Sequence, residues 1–143
     1  MRKIILFCLI LLFVPSVESL RVHVEGNWNI SQVDDLINDT SELLDEWGVK
    51  WIRFRGYKHS EYAATYCCTT KGIRIYNTER NQVTANIRKN LYHEIGHRIQ
   101  QKEFNRCDAS FLSERFSDSY AVFMTKRDGF GFDDALLRWY ELD

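Results

Sequence analysis

His93-Glu94-Ile95-Gly96-His97 sets two imidazoles four residues apart, with a glutamate beside the first. On a helix, residues i and i+4 stand one turn above the other on the same face, so both rings can reach one metal ion. Glu94 is turned about 100° away around the helix. From there its carboxylate can take a proton from a water molecule at the ion without ligating the ion itself. Zinc suits this set, because it keeps one coordination position open, lowers the pKa of its water to about 7 and polarises a carbonyl. Hydrolysis of a peptide bond needs that division of labour.

Three protein ligands are expected, and two are in hand. The third is sought on the next helix, in Glu114-Arg115-Phe116-Ser117-Asp118, where Glu114 follows His97 by seventeen residues. Glu114 and Asp118 share one helix face. Either carboxylate could reach the metal. The longer glutamate, entering first, is assigned to the ion, and Asp118 to a hydrogen bond with the free ring nitrogen of a ligand histidine.

HExxH, this spacer and ExxxD together resemble the gluzincin zinc metallopeptidases, and the short chain resembles the single-domain minigluzincins. The resemblance covers about residues 72–124. It implies a zincin-like domain with His93, His97 and Glu114 as zinc ligands, Glu94 as catalytic base and Asp118 supporting His93. It also implies that Gly72–Asn77 is the edge strand that pairs with an extended peptide substrate. A metzincin would need glycine at position 100 and histidine at 103, where this chain has Gln100 and Glu103. Only 25 residues follow Asp118, so no counterpart is expected for the oxyanion-stabilising Tyr and His of thermolysin-type enzymes. Tyr62, Tyr66, His59 and Tyr120 are the candidates for that role.

The elements that must position these groups are readable from periodicity. Val83, Ile87, Leu91, Ile95 and Ile99 recur every four residues, marking a long helix whose histidines lie about 200° from the aliphatic stripe and face a cleft. Ser31 to Trp47 reads as an amphipathic helix capped by Ser31 and stopped at Gly48. Arg21–Val24, Val49–Phe54 and Gly72–Asn77 alternate like strands, whereas Tyr57–Thr70 is loop or irregular strand. Further helices are expected over Ser113–Lys126 and Asp133–Tyr140. The order implies an α+β fold, a small sheet packed on the HExxH helix and a following ligand-bearing helix.

The 143 residues, 45% hydrophobic and 27% charged, suit one globular domain. Met1-Arg2-Lys3, an apolar run from Ile4 to Val14 and small residues up to Ser19 read as a signal peptide over residues 1–19, leaving a secreted domain over 20–143. The run is too short to span a bilayer. Without Arg2, Lys3 and Glu18 the chain has 17 basic and 19 acidic residues, a net charge of −2, and no basic excess points to nucleic acid.

Cys67, Cys68 and Cys107 remain, an odd number where disulfides form. Cys107 is expected to pair with Cys67 or Cys68, and the leftover thiol could bridge to another chain. Asn29 and Asn38 head N-x-S/T triplets, acceptors for glycosylation. The expected function is a secreted zinc peptidase acting on peptides or proteins. The alternatives are a metal-binding protein without turnover, or a latent protease with its spare thiolate on the zinc.

Overall fold

The computed structural model describes residues 19–108 and 110–128. The expected signal segment through residue 18 and the helix expected over Asp133–Tyr140 lie outside the described residues. Within them the order is β1 (Arg21–Val24), α1 (Ile30–Glu46), β2 (Trp51–Phe54), β3 (Ala64–Cys67), β4 (Gly72–Ile75), α2 (Ala85–Phe104) and α3 (Phe111–Asp128). The fold is a small single-domain α+β arrangement. None of the described helices is long and apolar enough to cross a membrane.

α1 begins one residue before the expected cap. Asn29, not Ser31, sits in the extended cap conformation, and its side chain accepts a hydrogen bond from the Gln32 amide. At the other end Gly48 takes a positive φ of 67°, the left-handed conformation that glycine adopts without a Cβ clash. Val33, Leu36 and Leu44 are buried beneath the helix, while its six acidic residues all face solvent.

The sheet order is β1-β2-β4-β3, with β1, β2 and β4 parallel and β3 antiparallel to β4. The ambiguous Tyr57–Thr70 stretch therefore contains a strand. This overturns the expectation that Gly72–Asn77 is the free edge. β4 lies inside the sheet, with its backbone groups shared between β2 and β3, and the edge strand beside the HExxH helix is β3. β3 is hard to read from the chain because its faces differ little in polarity: Ala64 and Tyr66 face the helix side, Thr65 and Cys67 the other, and Thr65, Tyr66 and Cys67 are all half-buried.

One face of the sheet is aliphatic. Ile52, Phe54, Ile73 and Ile75 are fully buried there, against Ile87, Leu91 and Ile95 of α2 and against Leu36 and Leu44 of α1. Each such side chain contributes roughly 1.5–3 kcal/mol on burial. α2 starts after Thr84, whose hydroxyl accepts from the Ile87 amide, and ends at Asn105 in the left-handed conformation. Val83 thus precedes the helix that its periodicity seemed to include.

α3 starts two residues earlier than its pattern suggests. The Ser110 hydroxyl accepts from the Ser113 amide, and Asp108 accepts from the Ser113 hydroxyl at 2.6 Å and from the Ser110 amide. Those bonds hold the exposed Asp108 carboxyl down at about 2. They also set the entry angle of the helix that carries Glu114.

Candidate metal centre

The aliphatic stripe of α2 fixes its rotation, so His93 and His97 turn out of the core into a cleft of about 410 Å³ between β3, α2 and the start of α3. α3 packs along α2 and delivers Glu114 from its first turn. His93 Nε2 lies 3.0 Å from Glu114 Oε2, His97 Nε2 lies 3.2 Å from Glu114 Oε1, and the two Nε2 atoms are 3.1 Å apart. Asp118, one turn further along α3, meets the other nitrogen of His93, Nδ1, at 2.8 Å. All five residues singled out in the sequence therefore converge.

The chemistry of this donor set fits a metal cation. With Nδ1–H of His93 donating to Asp118, its Nε2 presents a lone pair, and that lone pair faces another imidazole nitrogen and a carboxylate. Tetrahedral ligands at 2.0–2.2 Å from an ion stand roughly 3.3–3.5 Å apart, close to the separations found here. A carboxylate oxygen of Glu94 and one nitrogen from each histidine also lie within 4.8 Å of one another. Glu94 is the more distant carboxylate from the imidazoles, and Glu114 the one in direct contact with both.

Glu94 is only 6% exposed. Burial pushes its carboxyl up to about 7; the His93 charge opposes the shift, and the Glu114 and Asp118 charges add to it. Burial works against protonation of His93, but the hydrogen bond to Asp118 and the charges of Glu94, Asp118 and Glu114 outweigh it, and its pKa is raised. His97 is lowered, by burial first and by repulsion from His93 second.

The geometry also depends on two residues outside the predicted site, Gly96 and Gln100. A Cβ on Gly96 would lie 2.9 Å from the Ser117 Cα and 3.0 Å from its hydroxyl. The missing side chain lets α3 approach close enough for Glu114 to touch both histidines. A glycine inside a helix, which costs about 1 kcal/mol relative to alanine, was the available signal. Buried Gln100 donates to the Ser113 carbonyl at 2.7 Å and ties the start of α3 to α2.

A second set of bonds holds the edge strand over α2. The Tyr66 hydroxyl donates to Gln101 Oε1, which also accepts from Arg98 at 2.9 Å, while Gln101 Nε2 donates to the Cys68 carbonyl and Arg98 Nε to the Trp47 carbonyl. Of the four oxyanion candidates, Tyr62 and Tyr66 line the cleft. Tyr66 is committed to Gln101. His59 accepts from the Glu61 and Tyr62 amides and packs at a tilt against the Tyr76 ring, away from the cleft lining, and Tyr120 packs against the core.

Cys107 pairs with Cys68, not Cys67, across 39 residues with Cα atoms 6.3 Å apart. Side-chain alternation decides between the two: Cys68 shares the cleft side with Tyr66 and Ala64, and Cys67 points to the opposite face, where its sulfur accepts from Thr70. Non-reducing peptide mapping is expected to recover Cys68 linked to Cys107 and Cys67 alkylated. Closing a loop of this size is worth about 4 kcal/mol in the chain-entropy model, so Cys68→Ser should lower thermal stability markedly while Cys67→Ser barely changes it. Equal effects would contradict this pairing.

Gly96→Ala provides a test of the helix contact. Overpacking of about 1–3 kcal/mol should exceed the roughly 1 kcal/mol that alanine gains in a helix. The metal-free variant is therefore expected to melt lower and to bind metal more weakly, as Glu114 is pushed outward. A melting temperature at or above that of the parent would show that the contact has slack.

No family model, curated protein or solved structure matches this chain.

Proposed function

We propose that this protein is a secreted zinc-dependent peptidase of the gluzincin type, with a zincin-like fold. The observation that carries this reading is the meeting of His93 Nε2, His97 Nε2 and the Glu114 carboxylate at 3.0–3.2 Å, with the buried Glu94 beside them. The mixed sheet with its antiparallel edge strand over the HExxH helix supports it too, as does the cleft open along that strand. The Cys68–Cys107 bridge supports secretion, since disulfides persist in oxidising compartments.

In this reading His93, His97 and Glu114 hold the ion, and Asp118 holds His93 in the tautomer that leaves Nε2 bare. A bound zinc supplies a Lewis acid and lowers the pKa of water at the site. The free edge of β3 offers its backbone N–H and C=O groups to an extended peptide, in place of the interior β4. Glu94 takes the proton of the attacking water and delivers it to the departing amide nitrogen. A carboxyl poised at about 7 suits both halves of that transfer. Tyr62, 52% exposed at the cleft, is the phenol available to the developing oxyanion.

The test is to purify the disulfide-bonded protein, measure its zinc content and present a mixed peptide library. Equimolar zinc is expected, with cleavage that a chelator stops and added zinc restores. Equimolar zinc without cleavage of any peptide would leave a metal-binding protein without turnover. Absence of zinc uptake would remove the reading altogether.

A further inference from the structure

The face of the sheet turned away from the helices has a different character from the aliphatic one. Its two central rows are Arg21, Trp51, Gly72 and Cys67, then His23, Arg53, Arg74 and Thr65, in cross-strand register. The Trp51 indole lies flat on Gly72, where a Cβ would overlap the ring. The Arg53 and Arg74 guanidinium carbons stand 5.8 and 5.2 Å from its centroid.

Among the described residues these cations have no anionic partner. Among the described residues Glu25 pairs with Arg55 and Asp39 with Arg88, and no carboxylate pairs with Arg21, Arg53 or Arg74. Arg53 Nε is buried with no hydrogen-bond acceptor. Like charges side by side on neighbouring strands are unfavourable, and an unmet buried donor adds to the cost. The Trp51 ring between the two guanidinium groups offsets part of this cost by cation–π attraction, and no carboxylate among the described residues offsets the rest. Meanwhile the six acidic residues of α1 are exposed on the helix side of the sheet, with no basic residue in that helix. A molecule of net charge −1 thus gathers unpaired arginines on this face of the sheet, while the charges of α1 are all acidic.

From this charge separation we propose that the open face of the sheet binds a sulfated polysaccharide. Guanidinium forks match the oxygens of a sulfate two at a time, and a flat indole between them offers an apolar, electron-rich surface to a sugar ring. The spacing of about 4.8 Å between strands sets Arg53 and Arg74 to grip neighbouring sulfates of one chain. A single strand of nucleic acid would also find charge and a stacking ring here. The disulfide favours the glycan, because the acidic polymers of an oxidising extracellular setting are glycans.

The experiment measures binding of a fluorescent heparin-derived hexasaccharide to the full disulfide-bonded protein in about 0.15 M salt. The double variant Arg53→Gln/Arg74→Gln is expected to bind about tenfold or more weakly, as two charge-assisted contacts are lost. The exposed Arg21→Gln should lose a few-fold, and it reports even if the double variant does not fold. Glu94→Gln should bind like the parent, which separates this surface from the proposed peptidase centre. Rising salt should weaken binding. No binding by the parent, equal binding of the desulfated hexasaccharide, or unchanged affinity in folded variants would each overturn the proposal. So would a tenfold preference for single-stranded polyuridylate.

Discussion

Glu94→Gln is expected to retain zinc and to lose peptidase turnover by about 10²–10⁴-fold, the usual worth of a general base. The amide keeps the shape of the carboxylate and cannot accept the water proton. Glu114, not Glu94, touches both imidazoles, so the ion should stay. A second readout has a fixed sign. Burial raises the Glu94 pKa from the ordinary 4.5 to about 7, so the folded metal-free protein holds that proton more tightly than the unfolded chain does. Stability is then undiminished by this group below the unfolded value, falls as pH rises between the two values and stays reduced above about 7. Glutamine removes that loss, and the metal-free variant should melt at or above the parent at pH 8. Zinc lost along with activity would place Glu94 among the ligands, and turnover retained would remove it from the mechanism.

The second large effect separates Glu114 from Asp118. Glu114 spans the two histidines with one oxygen each, whereas Asp118 meets only Nδ1 of His93, on the side away from His97. Glu114→Ala removes a donor at the convergence point. Asp118→Asn leaves every donor there and loosens one ring, a change typically worth 10–100-fold in affinity or activity. Competition with a chelator should therefore find Glu114→Ala far weaker for zinc than Asp118→Asn, with residual peptidase activity only in the latter. Reversed order would exchange the two roles.

The two carboxylates show how far spacing reaches. Both lie on one face of α3, and the chain alone leaves either free to take the ion. What separates them is the crossing of α3 over α2, which Gly96 permits by leaving room at Ser117. Helix packing at that depth is a property of two surfaces, and no local pattern in either helix contains it. The edge strand was misassigned for a related reason. Gly72–Ile75 has the clearer strand pattern because it is interior and buried on the aliphatic side, while β3 alternates weakly because it lies at the edge and covers a polar cleft.

Local chemistry and periodicity are what the chain states directly. It held the HExxH spacing, the helix that presents it, the α+β class and the candidate carboxylates, because side-chain direction in a helix follows from 3.6 residues per turn. Packing in three dimensions settles which strand lies at the edge beside the HExxH helix, which cysteine Cys107 meets and which carboxylate touches both histidines. It alone also gathered Arg21, Arg53 and Arg74 around Trp51, since three strands far apart in the chain align them by backbone register. Each of these depends on distances between elements distant in sequence, and those distances are set by how the aliphatic faces of α1, α2 and the sheet close on one another.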